Sequence, residues 1–259
     1  MTKKKPTRRT RTVTQQTDST IPQIRKALIA AGELVLVMRC VHADMKSSRG
    51  FRWPESGPVE APAPGACGDK SEWKPTRECG HGLHGWLWGA GDLTGTCDYW
   101  DSQDTKWLLV EVAKSDVVDL DGKVKFPRGT VVFCGDRSEA AKLIVDHAPA
   151  GTPVIFGTAT AGYGGTATAG DGGTATAGER GTATAGYGGT ATAGYGGTAT
   201  AGYGGTATAG YGGTVSIEWY DASRGRYRKA IAEVDGDLIK ADVAYVVGED
   251  GKLTPKAAQ

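Results

Sequence analysis

The chain has 259 residues, enough for one globular domain of ordinary size with a repeat array beside it, and a net charge of +1. No apolar run approaches the length of a membrane-spanning helix: Leu34 to Met38 is a strand's worth, with Glu33 ahead of it. The basic start leads into no signal-peptide core, so a cytoplasmic location is expected, and five cysteines (Cys40, Cys67, Cys79, Cys97, Cys134) favour reduced thiols.

Lys3, Lys4, Lys5, Arg8, Arg9 and Arg11 put six positive charges in the first dozen residues, leaving −5 for the rest. That composition predicts a disordered tail over 1–19 that solvates the chain or touches an anionic surface nonspecifically. From Thr20, a Ser/Thr cap, Pro22 in the first turn and Gly32 at the end predict a short helix through Ile29. A strand is expected at Leu34 to Val41, and residues 54–68, with four prolines and three glycines, read as an irregular loop. Further strands are expected at Trp107 to Val112, Val117 to Asp119 and Thr130 to Cys134, and a helix at Ser138 to His147. These elements make an α+β domain over 20–150, large enough for its own core.

The densest chemistry in that domain is Glu78-Cys79-Gly80-His81-Gly82-Leu83-His84-Gly85-Trp86. Cys67, Cys79, His81 and His84 carry zinc-donor side chains, but their spacing matches no finger and Cys79-x-His81 is a strained chelate, so no metal is expected. The simplest reading is a Gly-rich turn in which His and Trp satisfy a buried polar network, and no cofactor is expected.

Residues 157–212 are seven copies of the octapeptide Gly-Thr-Ala-Thr-Ala-Gly-Tyr-Gly, beginning at Gly157, Gly165, Gly173, Gly181, Gly189, Gly197 and Gly205. Thr-Ala-Thr-Ala has the period of a strand, and the Gly-rich remainder supplies a tight corner, so each octad is one strand plus one corner. One octad encloses no interior. Two close a 16-residue coil, and the array makes three and a half coils of a short β-solenoid, a parallel β-helix over 151–214. With Ala inside, Thr158, Thr160, Thr166, Thr168, Thr174, Thr176, Thr182, Thr184, Thr190, Thr192, Thr198, Thr200, Thr206 and Thr208 face water. They form a flat grid, about 4.8 Å between coils and about 6.8 Å along a strand. Two octads per coil stack Tyr163, Glu179, Tyr195 and Tyr211 on one edge and Asp171, Tyr187 and Tyr203 on the other. Each edge is then a tyrosine ladder interrupted by a charge, and its exposed rings suit a homodimer.

Stacked coils leave bare strand edges that need covering. The domain before Gly157 can guard one end. At the other, strands at Val215 to Tyr220, Tyr227 to Val234 and Val243 to Val247, with turns at Ser223-Arg224-Gly225 and Asp235-Gly236-Asp237, predict a small β cap over 215–254 and a tail over 255–259. Arg226 and Arg228 are expected on its exposed face.

The unit Ala-Gly-Tyr-Gly-Gly-Thr-Ala-Thr from Ala161 to Thr168, followed by Trp219-Tyr220-Asp221, Arg226-Tyr227-Arg228 and Ala241-Asp242-Val243 with Tyr245, Val247 and Glu249-Asp250, resembles the octapeptide and C-terminal cap of bacterial ice-nucleation proteins. The resemblance spans about residues 157–254. It implies a non-enzymatic β-solenoid whose Thr-x-Thr rows order water or bind ice, and whose tyrosine ladder supports dimers. Three departures limit it: the array is short, so nucleation is weak; basic coils before the cap are absent apart from Arg180; and the N-terminal half is unlike the family's own.

That half, with Gly50-Phe51-Arg52-Trp53-Pro54, the Cys79 to Trp86 run and Val132-Phe133-Cys134-Gly135-Asp136, resembles an uncharacterised bacterial and phage domain found ahead of short repeat arrays. The second reading therefore makes the solenoid a rigid spacer and the N-terminal domain a binding or transferase unit. Arg39 on a strand with His81 or His84 on a Gly-rich loop is similar to the nucleotide-gripping layout of ADP-ribosyltransferase-like folds, though no glutamate partner is identified.

Overall fold

A computed structural model describes residues 23–63, 72–93, 100 and 102–257. The basic tail, the Thr20 helix cap, Cys67 and Cys97 lie outside the described residues. The N-terminal half runs α1 (Gln23–Ala30), β1 (Leu34–Val41), β2 (Gly57–Glu60), β3 (Leu83–Leu87), β4 (Lys106–Ala113), β5 (Val118–Asp119), β6 (Val124–Phe126), β7 (Arg128–Gly135) and α2 (Arg137–Val145). Its strands pair antiparallel in one sheet of order β2-β7-β4-β1-β3-β6-β5. β1 is nearly all apolar because both of its faces are covered. Val35, Val37, Val110 and Val112 join one cluster, while Leu36, Met38, Trp86, Trp107 and Leu109 join another, with Ala140 and Ile144 of α2. α2 starts where the Asp136 carboxylate accepts from the Glu139 amide at 2.9 Å, a side-chain N-cap.

Two expected irregular segments contain strands. β2 lies inside 54–68 and tolerates Pro58 because it is the edge strand, where a missing N–H costs no ladder bond. β3 occupies much of the expected Gly-rich turn, which places His84 on a strand and not on a loop. Gly85 is glycine there because a Cβ would sit 2.6 Å from the Met38 carbonyl oxygen of β1; the residue marks close strand approach. The expectation of reduced thiols is also corrected, since Cys40 is disulfide-bonded, while Cys79 and Cys134 are free.

The octads fold as the period dictates. β8 (Thr158–Ala161), β9 (Thr166–Ala169), β10 (Thr174–Ala177), β11 (Thr182–Ala185), β12 (Thr190–Ala193), β13 (Thr198–Ala201) and β14 (Thr206–Ala209) alternate between two parallel walls. Pairing is in register at sixteen residues, with Thr174 between Thr158 and Thr190 and Ala183 between Ala167 and Ala199. Ala175, Ala183, Ala191, Ala199 and Ala207 are fully buried between the walls. β15 (Thr214–Asp221) supplies the eighth strand with its first four residues, Thr214 to Ile217 pairing with Thr198 to Ala201, so three and a half coils become four.

Two glycines of each octad do different work. The eighth position turns the corner in the left-handed region, with φ of +61° at Gly188 and +70° at Gly204, and Arg180 adopts it at +55°. The sixth position lies where coils nearly touch: a Cβ on Gly202 would meet the Gly186 backbone at 2.7 Å. Corner amides stay satisfied through the stack, as Gly188 N–H donates to the Tyr203 carbonyl at 2.9 Å and Gly196 N–H to that of Tyr211 at 3.0 Å.

The cap adds β16 (Arg226–Glu233), antiparallel to β15, on one wall and β17 (Tyr245–Val247) with β18 (Leu253–Pro255) on the other. β18 runs past the expected end of the cap. Tyr245, Val234, Val243 and Leu253 close the end of the alanine core. At the opposite end, Val154 to Phe156 join the two halves. Ile155 N–H donates to Gly89 of the sheet at 2.8 Å, while Phe156 N–H donates to Asp171 and the Val154 carbonyl accepts from Gly170 of the first coil. The Phe156 ring lies edge-on to Trp107 at 5.6 Å, with the Arg137 guanidinium 4.3 Å from its centroid.

Candidate functional site

Each wall is a flat array because every threonine has its counterpart sixteen residues away at the same height. On the β8-β10-β12-β14 wall, seven of the eight threonines reach solvent; Thr206 is 7% exposed and accepts from the Lys256 ammonium at 3.4 Å. On the other wall, Thr166, Thr168, Thr182, Thr184, Thr198 and Thr200 are all at least partly exposed, and the row continues into Thr214 before the buried Ser216. A β-branched hydroxyl with a restricted χ1 at each point, on strands that have a neighbour on both sides except for β8 and β9, makes a regular lattice of donors, acceptors and methyls.

The edges carry the tyrosines in the expected order. Tyr187 and Tyr203 stack at 5.9 Å and Tyr195 and Tyr211 at 6.3 Å, while Tyr163 is 69% exposed. The first ladder extends into the cap, for Tyr203 meets Tyr227 edge-on at 5.8 Å and Tyr227 meets Tyr220 at 5.2 Å. Sequence reasoning missed this continuation, whose signal was the strand alternation that turns Tyr220 and Tyr227 to one face. Asp171 does more than interrupt the ladder. One carboxylate oxygen accepts from Leu93 N–H of the N-terminal domain at 3.2 Å and the other from Tyr187 N–H at 2.9 Å, so it pins the first coil to the domain.

Of the two cap arginines, Arg226 is exposed, whereas Arg228 is half engaged. Arg228 reaches the buried Asp221 carboxylate at 3.1 Å beside Arg224 at 3.0 Å, and its guanidinium lies 5.7 Å from the Trp219 centroid. The Ser223 hydroxyl, followed by the two arginines, holds the Asp221 carboxyl far below the usual carboxylate range.

In the N-terminal domain, strand geometry sets His84 of β3 opposite Lys125 of β6. Burial, then the charges of Arg39, Lys123 and Lys125, push His84 down to about 4. Its Nε2 accepts from Gly80 N–H at 3.3 Å, and its carbonyl accepts from Arg39 at 2.6 Å. Lys125 is fully buried, and its ammonium donates to the Glu78 and Gly80 carbonyls at 2.9 and 3.3 Å; burial lowers its pKa. Arg39 also stacks on Trp53 at 4.6 Å. His81 takes φ of +58° beside this network, and Cys79 is an exposed thiol. Among the described residues no three His, Cys, Asp or Glu side chains converge as a metal site. No helix among them is long and apolar enough to cross a membrane.

Comparison with known proteins finds two kinds of likeness. Residues 35–144 match a family described as Domain of unknown function (DUF7666). The ice nucleation protein of Pseudomonas syringae is 38% identical over 111 residues, 42% of this chain and 9% of that protein. That of Xanthomonas campestris pv. translucens is 34% identical over 119 residues, 45% of this chain and 7% of its own length. That of Pseudomonas fluorescens is 36% identical over 117 residues, 44% and 9%. The chain therefore spans a tenth or less of the length of these relatives. No solved structure matches. The chain is thus an ice-nucleation-like repeat protein with a β-solenoid, and its N-terminal part matches the DUF7666 model.

Proposed function

We propose that the threonine walls order water or bind ice weakly, and that the N-terminal domain displays them. The observation that carries this is the sixteen-residue register, which sets threonine beside threonine on both walls with alanine filling the interior. Four coils offer a small area, so the expected activity is modest ice binding with weak nucleation. The exposed rims of the tyrosine ladders are the surface along which a second copy lies side by side in this reading. The test is ice recrystallisation by the full chain with Thr166, Thr182 and Thr198 changed to Lys. Slowed crystal growth with wild type and none with the variant supports the proposal; equal growth curves sink it.

A second reading rests on the cluster around His84. The Arg39 guanidinium donates to the His84 carbonyl at 2.6 Å, and in this reading the two belong to a binding or transferase unit for which the solenoid acts as a rigid arm. Incubation of the full chain with labelled NAD and lysate separates transferase chemistry from mere display.

A further inference from the structure

β16 ends its sheet, whose order is β16-β15-β13-β11-β9, and it is long for an edge: eight residues, six of them exposed. Val234 N–H donates to Gly213 on the β15 side, so by alternation the backbone groups of Tyr227, Lys229, Ile231 and Glu233 point away from β15 to the open edge. The same four side chains share the outer face, in line with Thr214 and Ser216, which pair with Glu233 and Ile231. Ile231 is 64% exposed, a large aliphatic residue in the middle of a strand that is paired on one side only among the described residues, flanked at two residues' distance by Lys229 and Glu233.

Edge strands are ordinarily protected by charges of one sign, which repel a copy of themselves. Here the sequence Lys229-Ala230-Ile231-Ala232-Glu233 is self-complementary. A two-fold axis through Ile231 and perpendicular to the sheet sets Lys229 opposite the second copy's Glu233, Ala230 opposite Ala232, and Ile231 opposite itself. All outward side chains then stay on one face. Residues 229, 231 and 233 have their backbone groups turned outward, so the three pairs exchange about six hydrogen bonds.

We propose that β16 is a homodimer contact through which two copies join tail to tail in one continuous sheet, placing their β9-to-β15 threonine walls on the same side. This contact uses none of the stacked ladder rings Tyr187, Tyr195, Tyr203 and Tyr211, and it does not depend on whether those walls act on water.

Sedimentation of the full chain is the test, with Lys229→Glu, Glu233→Lys and the double reversal. All three positions of the motif are exposed, and since Lys229→Glu also faces Glu218 across the β15–β16 hairpin, circular dichroism is followed for each variant. Each single reversal turns two attractive cross-strand pairs into repulsive ones, and the dimer weakens about tenfold. The double reversal restores attraction and returns the affinity to within about twofold. A Cys79→Ser, Ile231→Cys chain cross-links to itself under mild oxidation, since the paired Cα atoms lie about 5.5 Å apart, within disulfide range, whereas Cys79→Ser, Lys229→Cys does not. A wild type that stays monomeric overturns the proposal. So does a dimer indifferent to the single reversals but lost when Tyr187, Tyr195, Tyr203 and Tyr211 become Ser, or a double reversal no better than either single one.

Discussion

Replacing Gly202 and Gly204 by alanine, one at a time, separates two kinds of glycine requirement within a single octad. At Gly204 the added methyl meets nothing within 4 Å, and the cost is that of holding an L-residue at φ +70°. Such a conformation costs about 1 kcal/mol, and Arg180 already bears it at the equivalent corner. At Gly202 the methyl falls 2.7 to 2.8 Å from Gly186 and Tyr187 atoms, all backbone, which no side-chain rotation relieves. The coils must part at that corner, stretching the Gly202 N–H bond to the Ala185 carbonyl, now 3.0 Å. Overpacking of this kind costs about 1–3 kcal/mol, and the lost hydrogen bond adds about 1 kcal/mol. Thermal unfolding followed by far-ultraviolet circular dichroism should show Gly202→Ala lowered by several degrees more than Gly204→Ala, at about 2–4 °C per kcal/mol. Hydrogen exchange should place the added opening at the second and third coils, which Gly186 and Gly202 join. Equal melting temperatures, or a larger loss at Gly204, would refute the argument that coil contact selects glycine at the sixth position.

Asp171→Ala removes the acceptor of Leu93 and Tyr187 N–H, so exchange at both amides should rise about tenfold or more while the later coils stay protected. The Asp221 carboxyl is depressed in the folded chain; its stabilisation is present above the unfolded value near 4 and is lost as pH falls below it, so the β15–β16 hairpin should loosen only under strong acid, and Asp221→Asn should abolish that dependence. His84 is kept neutral with a folded value of about 4 against about 6.5 unfolded, so the N-terminal domain should lose about 2–3 kcal/mol as pH falls across that window; urea midpoints read from tryptophan fluorescence at pH 7 and pH 4 test it, with His84→Gln flattening the difference.

The solenoid was legible because its period constrains it at every residue. Thr-Ala alternation set inside against outside, and sixteen residues per coil followed from the need to enclose something. What escaped was whatever depends on residues distant in sequence. Gly85 looks like a turn until Met38 of β1 is seen against it. The burial of Lys125 in β6 rests on the carbonyls of Glu78 and Gly80, distant from it in sequence. Pro58 argued against a strand, yet β2 is an edge where proline is harmless. Asp171 looked like a flaw in a repeat, though Leu93, 78 residues earlier, makes it a joint. Thr206 is shielded because Lys256, 50 residues later, returns over it.

The central claim is that the hydroxyl lattice, and not merely a flat wall, orders water. It is tested most directly by droplet freezing of the full chain against a variant with Thr182, Thr184, Thr198 and Thr200 changed to Val, which keeps shape and strand propensity but deletes the hydroxyls of two adjacent strands. With circular dichroism unchanged, the account predicts that wild-type droplets freeze above buffer and that the variant's freezing curve moves back toward buffer. Superimposed curves for wild type and variant, both above buffer or both on it, would contradict it.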